Sequence, residues 1–419
     1  MNPKLKELVS GACERFGLDD YRLGRHSVRR NINSLEETVY LFSMEWFPRA
    51  VESWEGEDEN PDGTVCIEMN MNSGKLVSLH LPEGHTVRKA SQFPCNTNAD
   101  IIGWLERETG LVYEEQFMLQ REEEGELDFT GCFKGIASDG YMSVSFVEEG
   151  LRSFSIGGNF PSKQTVREEN FDLTLKKMEA LAQEQLKLIQ FPLTEKKKVV
   201  PFYAVEEIYV KNDGYATLPF NVVEKTGANV KLDKTLYWES PLQQEFERQS
   251  LSLGMEATIE QALSIEPHPD LLPITKEEEE LCAERVTDFL RKVFPADSGK
   301  WMLRTLERKY GYLLAALRSA QPDNMIFQKK LGVFLDRDTK EVVNYMDNSF
   351  MFEEYEHYES EGPAILSREE AYALLKKHIT VTPRYLYDRE ESCHVLCGLL
   401  DSQYAVHASS GEVLPLADL

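Results

Sequence analysis

The chain predicts an α+β fold of tandem units, each a single helix packed on a curled antiparallel sheet of three to four strands. Three observations lead there. A strand–turn–strand pattern recurs five times, a helical pattern precedes each recurrence, and a 42% hydrophobic, 10% aromatic composition can fill sizeable cores. At roughly 100–200 residues per domain, a chain of 419 residues holds about two to four of them.

The hairpin copies fall at 66–81, 132–146, 220–232, 333–346 and 404–416. Their turns read Asn72-Ser73-Gly74-Lys75, Ser138-Asp139-Gly140, Lys225-Thr226-Gly227, Arg337-Asp338-Thr339-Lys340 and Ser409-Ser410-Gly411. Asn, Asp and Ser stabilise such bends through local side-chain bonds, and Gly accepts positive φ. Flanking β-branched and aromatic residues at period two supply the arms.

The first helix is expected over 3–17, where Leu5, Leu8, Val9, Ala12, Cys13 and Phe16 share a face. A second spans about 98–108, carrying Ile101, Ile102, Trp104 and Leu105. A long third runs over 168–190 on Phe171, Leu175, Met178, Leu181, Leu186 and Ile189. The fourth, 276–293, opens with the capping box Thr275/Glu278, and the fifth, 368–378, with Ser367/Glu370. Residues 301–317 read equally as a helix or as two strands. Pro161-Ser162-Lys163 and Glu266-Pro267-His268-Pro269-Asp270 are the linker candidates, because X-Pro bonds bias the chain to extended or turn conformations. The expected division is therefore two divergent units in 1–160, a third with the long helix in 163–265, and two more in 270–419.

With 72 acidic against 46 basic side chains, the net charge of −26 disfavours nucleic acid and anionic membrane surfaces as partners. More than half of the excess sits in three stretches, 51–62, 276–280 and 353–361, as expected of solvated loops and a helix start. No stretch approaches the roughly 20 apolar residues of a spanning helix, and the first residues lack a signal-peptide core. The seven cysteines are odd in number and form no CxxC pair. A soluble, cytoplasmic protein with reduced thiols is the expectation.

The C-terminal stretch, a capped helix from Ser367 and then a strand turning at Ser409-Ser410-Gly411-Glu412, resembles a PepSY-type module. Tandem copies of this kind are similar to the YcdB/YcdC repeated-domain proteins of spore-forming bacteria. The turn at 336–340 follows the same pattern, and the likeness covers 165–419 more fully than 1–160. Two departures stand out: His407 occupies a position where such modules more often carry Asp, and Lys340 sits where Gly411 sits in the last copy. The resemblance implies a cystatin-like α+β fold, a role in spore-former physiology, and, by analogy with propeptide modules, restraint of a peptidase.

Catalytic signatures are absent from the sequence: there is no Walker loop, GxGxxG, HExxH, GxSxG or EF-hand loop. Gly157-Gly158-Asn159-Phe160-Pro161-Ser162-Lys163 echoes a phosphate loop but lacks its glycine spacing and its Gly-Lys pair. In Cys393-His394-Val395-Leu396-Cys397 a strand would put both thiols on one face and the imidazole on the other, which suits core packing better than zinc. The acidic runs at 52–62 and 122–126 read as hairpin loops, which do not separate two carboxyl pKa values as acid–base chemistry needs. No catalytic residue, metal or cofactor is expected.

Two surfaces remain as candidates for recognition. Arg22, Arg25, Arg29 and Arg30 cluster beside Tyr21 in an otherwise acidic chain; the blander reading pairs them with neighbouring acids. Phe352, Tyr355, His357 and Tyr358 interleave with Glu353, Glu354, Glu356, Glu359 and Glu361, as a binding rim or a core edge would. The function expected is non-enzymatic binding of a protein or peptide partner, with strand addition at a sheet edge as its physical mode. A structural or storage role and a hydrolase with a site assembled between repeats are the alternatives. For the hydrolase the test is whether His357, His394 or His407 meets a Ser, Cys or carboxylate.

Overall fold

The computed structural model describes residues 2–51, 54, 59–81, 97–147, 150–218, 228–321, 325–355 and 357–419. In chain order α1 (Pro3–Phe16) leads into β1 (Tyr21–Ile32), β2 (Thr38–Pro48), β3 (Val65–Asn70) and β4 (Leu76–His80). Next come α2 (Asn98–Thr109), β5 (Phe117–Glu123), β6 (Glu126–Phe133), β7 (Ile136–Val147) and β8 (Gly150–Gly157). The middle of the chain holds α3 (Glu179–Gln185), β9 (Leu186–Leu193), β10 (Lys198–Val205), β11 (Ile208–Lys211), β12 (Thr217–Leu218), β13 (Asn229–Thr235) and α4 (Ile259–Leu263). It continues through α5 (Lys276–Val293), β14 (Trp301–Lys309), β15 (Tyr312–Ser319), β16 (Lys330–Asp336), β17 (Val342–Asp347), α6 (Phe350–Glu353) and β18 (Glu359–Ser360). The last elements are α7 (Arg368–Leu375), β19 (Thr380–Asp388), β20 (Cys393–Asp401), β21 (Tyr404–His407) and β22 (Val413–Pro415).

This overturns the expected fold class. The molecule is mostly β, 42% strand against 21% helix, and its strands are gathered into sheets of twelve, five and five rather than into small sheets with one helix each. The sequence patterns located hairpins but carried no information about which hairpins pair edge to edge, and that pairing is what merges them. The chain divides into two compact units. One is Met1–Glu169 with Gly254–His268 and Pro383–Leu396; the other is Asn170–Leu253 with Pro269–Thr382 and Cys397–Leu419.

In the first unit β1, β2, β3, β4, β8 and β7 run in antiparallel succession, and the β5–β6 hairpin joins through β6. Alternation decides the faces. Tyr40, Phe42, Met44 and Trp46 of β2 point into a core shared with Leu5, Leu8, Ala12 and Phe16 of α1 and with Trp104 of α2. Ser43, Glu45 and Phe47 point the other way.

In the second unit β13 to β17 form a meander under α5, whose Cys282, Val286, Phe289 and Leu290 are buried against Leu303, Leu306, Leu313 and Val333. The stretch left open between helix and strands is two strands, because Tyr310 (φ 57°) and Gly311 (φ 80°) make a two-residue turn with both φ values positive. The expected helix at 168–190 is corrected: only Glu179–Gln185 is helical, and β9 begins at Leu186. Alternating apolar residues and Pro192, which cannot donate within a helix, favour the strand there.

Three hairpins close with one identical turn. Asn70 Oδ1 accepts the N–H groups of Asn72 and Ser73 at 3.1 and 2.9 Å, and Asp336 Oδ1 accepts those of Asp338 and Thr339 at 3.0 and 2.7 Å. His407 Nδ1 does the same for Ser409 and Ser410, both at 3.3 Å. Four residues after each acceptor comes a left-handed residue: Gly74 (φ 68°), Lys340 (φ 61°) and Gly411 (φ 77°). The copy expected at 138–140 is not a turn, since those residues lie inside β7, and the one at 225–227 falls outside the described residues.

A partly buried ion network fixes the start of α5. Glu278 of the capping box receives Arg308 Nη2 at 2.6 Å and Lys340 Nζ at 2.9 Å. Burial alone would raise the Glu278 carboxyl, but hydrogen bonds from Lys340, the Thr275 N–H and Arg308 outweigh it and hold the pKa at about 2. Lys340 therefore tolerates a left-handed backbone that Gly would adopt more readily, because its ammonium closes this network.

Candidate functional site

β1 places the arginine cluster, and its geometry splits the cluster in two. Arg22, Arg25 and Arg29 lie on the face opposite the core. Arg29 bonds Ser43 Oγ at 3.0 Å and pairs with Glu68, and Arg25 Nη1 stands 3.8 Å from Glu45. Arg22 and Arg25 flank the Phe47 ring, with guanidinium carbons 5.5 and 5.7 Å from its centroid. Gly24 makes that stacking feasible: the register slips between Leu23 and Arg25, and a Cβ on Gly24 would sit 2.4 Å from the Phe47 ring. Arg30 lies on the core face, only 7% exposed, donating to Glu266 Oε1 at 3.1 Å and to the Pro267 carbonyl at 3.2 Å.

The backbone of β1 is the open feature. Among the described residues no second strand lies along its other side, and the chain's own residues 255–257 fill part of that place. The Arg30 N–H donates to the Met255 carbonyl at 2.9 Å, the Ala257 N–H donates to the Val28 carbonyl at 2.8 Å, and Glu256 stands opposite Arg29. Thr258 then caps α4 and leads the chain away from the strand. Two residues before Val28, with no register break between, exposed His26 turns its N–H and C=O to the same outward side. Beside it lies a groove of about 400 Å³ lined by Leu5, His26, Val28, Ala257 and Ile259.

The second sequence-predicted surface packs largely against residues 327–329. Tyr355 stacks on Phe327 with centroids 6.0 Å apart and meets Tyr358 edge-on at 5.4 Å. Phe352 is buried under Lys329, while His357 is exposed.

Two of the histidines singled out by the sequence, His407 and His394, are engaged in structure. His407 Nδ1 accepts the two turn N–H groups, so Nε2 carries the proton and faces Glu361 Oε1 at 3.0 Å. A carboxylate is in reach, yet neither ring nitrogen remains to act as a base. His394 is buried, with Nδ1 3.2 Å from Thr165 Oγ1; burial pushes its imidazole below the ordinary value, against the opposing pull of the Thr165 carbonyl. Among the described residues no group of three His, Cys, Asp or Glu converges as metal ligands, and no helix is long and apolar enough to cross a membrane. The Gly157-Gly158 echo of a phosphate loop serves close backbone packing: a Cβ on Gly158 would lie 2.2 Å from the Asp139 carbonyl oxygen.

No family model matches the chain, and no curated protein matches it. Among solved structures, the Bacillus megaterium YpeB C-terminal domain aligns over 82% of this chain and 96% of that one, at 8% identity and a TM-score of 0.23. A superposition at that score does not establish a shared fold.

Sequence reasoning named the arginines but missed the edge beside them. One signal was present: Gly24 interrupts an otherwise strand-like run, as a bulge residue does.

Proposed function

We propose that this protein is a non-enzymatic binder of an extended peptide segment, which adds as a strand to the edge of β1. One observation carries the reading: residues 255–257 already make ladder bonds to Val28 and Arg30, so this edge accepts an added strand, and His26 extends it unpaired. Backbone bonds supply affinity in such a mode, and the flanking side chains supply selectivity. Restraint of a peptidase, the role implied by the PepSY resemblance, is compatible with it, because an added strand can hold a partner's exposed segment in place. The six described cysteines are thiols, which supports a reducing compartment such as the cytoplasm.

The test is selection of displayed peptides on the immobilised full-length chain, followed by amide exchange of the complex. Selected peptides should slow exchange in β1. Peptides that bind while leaving β1 exchange unchanged would refute the assignment.

A further inference from the structure

Resting on the strand-addition reading, we infer that the partner strand alternates acidic and apolar residues, the acidic ones facing Arg22 and Arg25. The chain's own segment is the template. Directly opposite residues of an antiparallel pair share a face. Glu256 therefore lies on the face of Arg29, and Ala257, opposite Val28, lies on the core face, where it packs against the apolar cluster. A strand laid along β1 toward its start meets the same two environments. On one side stand the guanidinium groups of Arg22 and Arg25, set against Phe47. They donate to the carbonyls of Val51 and Glu59 at 3.3 and 3.2 Å while keeping their positive charge. On the other is the groove, whose apolar lining is Leu5, Val28, Ala257 and Ile259 and whose polar lining includes Thr258 and Glu260.

The two faces make different demands on a partner. Basic side chains on the arginine face would set like charges against each other, and polar ones set against Leu5, Val28 and Ile259 would lose water to apolar surface. The bulge at Gly24 sets the register: Arg22 and Arg25, three apart in β1, stand opposite Phe47 and Glu45, two apart in β2, and so share one face.

The test uses two synthetic octapeptides, one alternating Glu and Val and the other alternating Lys and Val, titrated into the full-length chain with exchange mapping of β1. The Glu peptide should bind at least about tenfold tighter than the Lys peptide and protect β1, with the difference shrinking as salt rises. Equal binding by both, with β1 protected, would overturn the partner chemistry while leaving strand addition standing. Binding by neither, or binding without protection of β1, would instead count against strand addition itself.

Discussion

The arginine face of β1 and the ion network at the start of α5 treat cations in opposite ways. At α5, Arg308 and Lys340 have side chains only 7% and 14% exposed, and both converge on one carboxylate. On β1, the Arg25 and Arg29 side chains are 34% and 46% exposed; Arg25 stands near Glu45 and donates to the Glu59 carbonyl, and Arg29 pairs with Glu68. Solvent screens the second arrangement more than the first. The network at α5 therefore holds the fold together, whereas the more exposed β1 arginines contribute less to it.

That contrast is open to direct challenge. The largest effect is expected from Glu278→Gln, which should cost about 3 kcal/mol in denaturant unfolding at neutral pH, given a carboxyl held near pH 2. A depressed carboxylate gives stability that is complete above its unfolded pKa and is lost as pH falls through the folded one. The wild type should accordingly weaken between roughly pH 4.5 and pH 2, and the variant should show a flatter profile there. Equal acid sensitivity in both proteins would remove the network from the account.

Arg30→Ala comes next, at about 2 kcal/mol, because it strips a buried guanidinium from the Pro267 carbonyl and from Glu266. Gly24→Val should cost about 1–2 kcal/mol by forcing the Phe47 ring off the strand. Arg22→Ala, Arg25→Ala and Arg29→Ala should each change unfolding free energy by less than about 1 kcal/mol. If any of the three proved as costly as Arg30→Ala, the division of the cluster into two faces would be wrong.

Local chemistry was legible in the sequence. The capping boxes at Thr275 and Ser367 and the side-chain-capped turns at Asn70 and Asp336 depend on residues within a few positions of one another. His407 was visible only as a departure, since nothing in its neighbours reveals that an imidazole nitrogen can replace a carboxylate oxygen as the turn's acceptor. The 168–190 helix failed because apolar steps of three to five fit a helix until Pro192 is weighed against them. The arginines stood out by composition. Reading 21–32 as a strand would have put Arg29 and Arg30 on opposite faces. An unpaired edge is a different matter. It depends on strand pairing between residues far apart in sequence, and on 255–257 returning to β1 more than two hundred residues later.

The most direct test is the affinity of a selected peptide for His26→Pro. The His26 N–H points away from β2, so proline there removes an edge donor without breaking a β1–β2 ladder bond. Affinity should fall at least about tenfold with the melting temperature nearly unchanged. Undiminished affinity in a folded His26→Pro protein would contradict binding at the edge of β1.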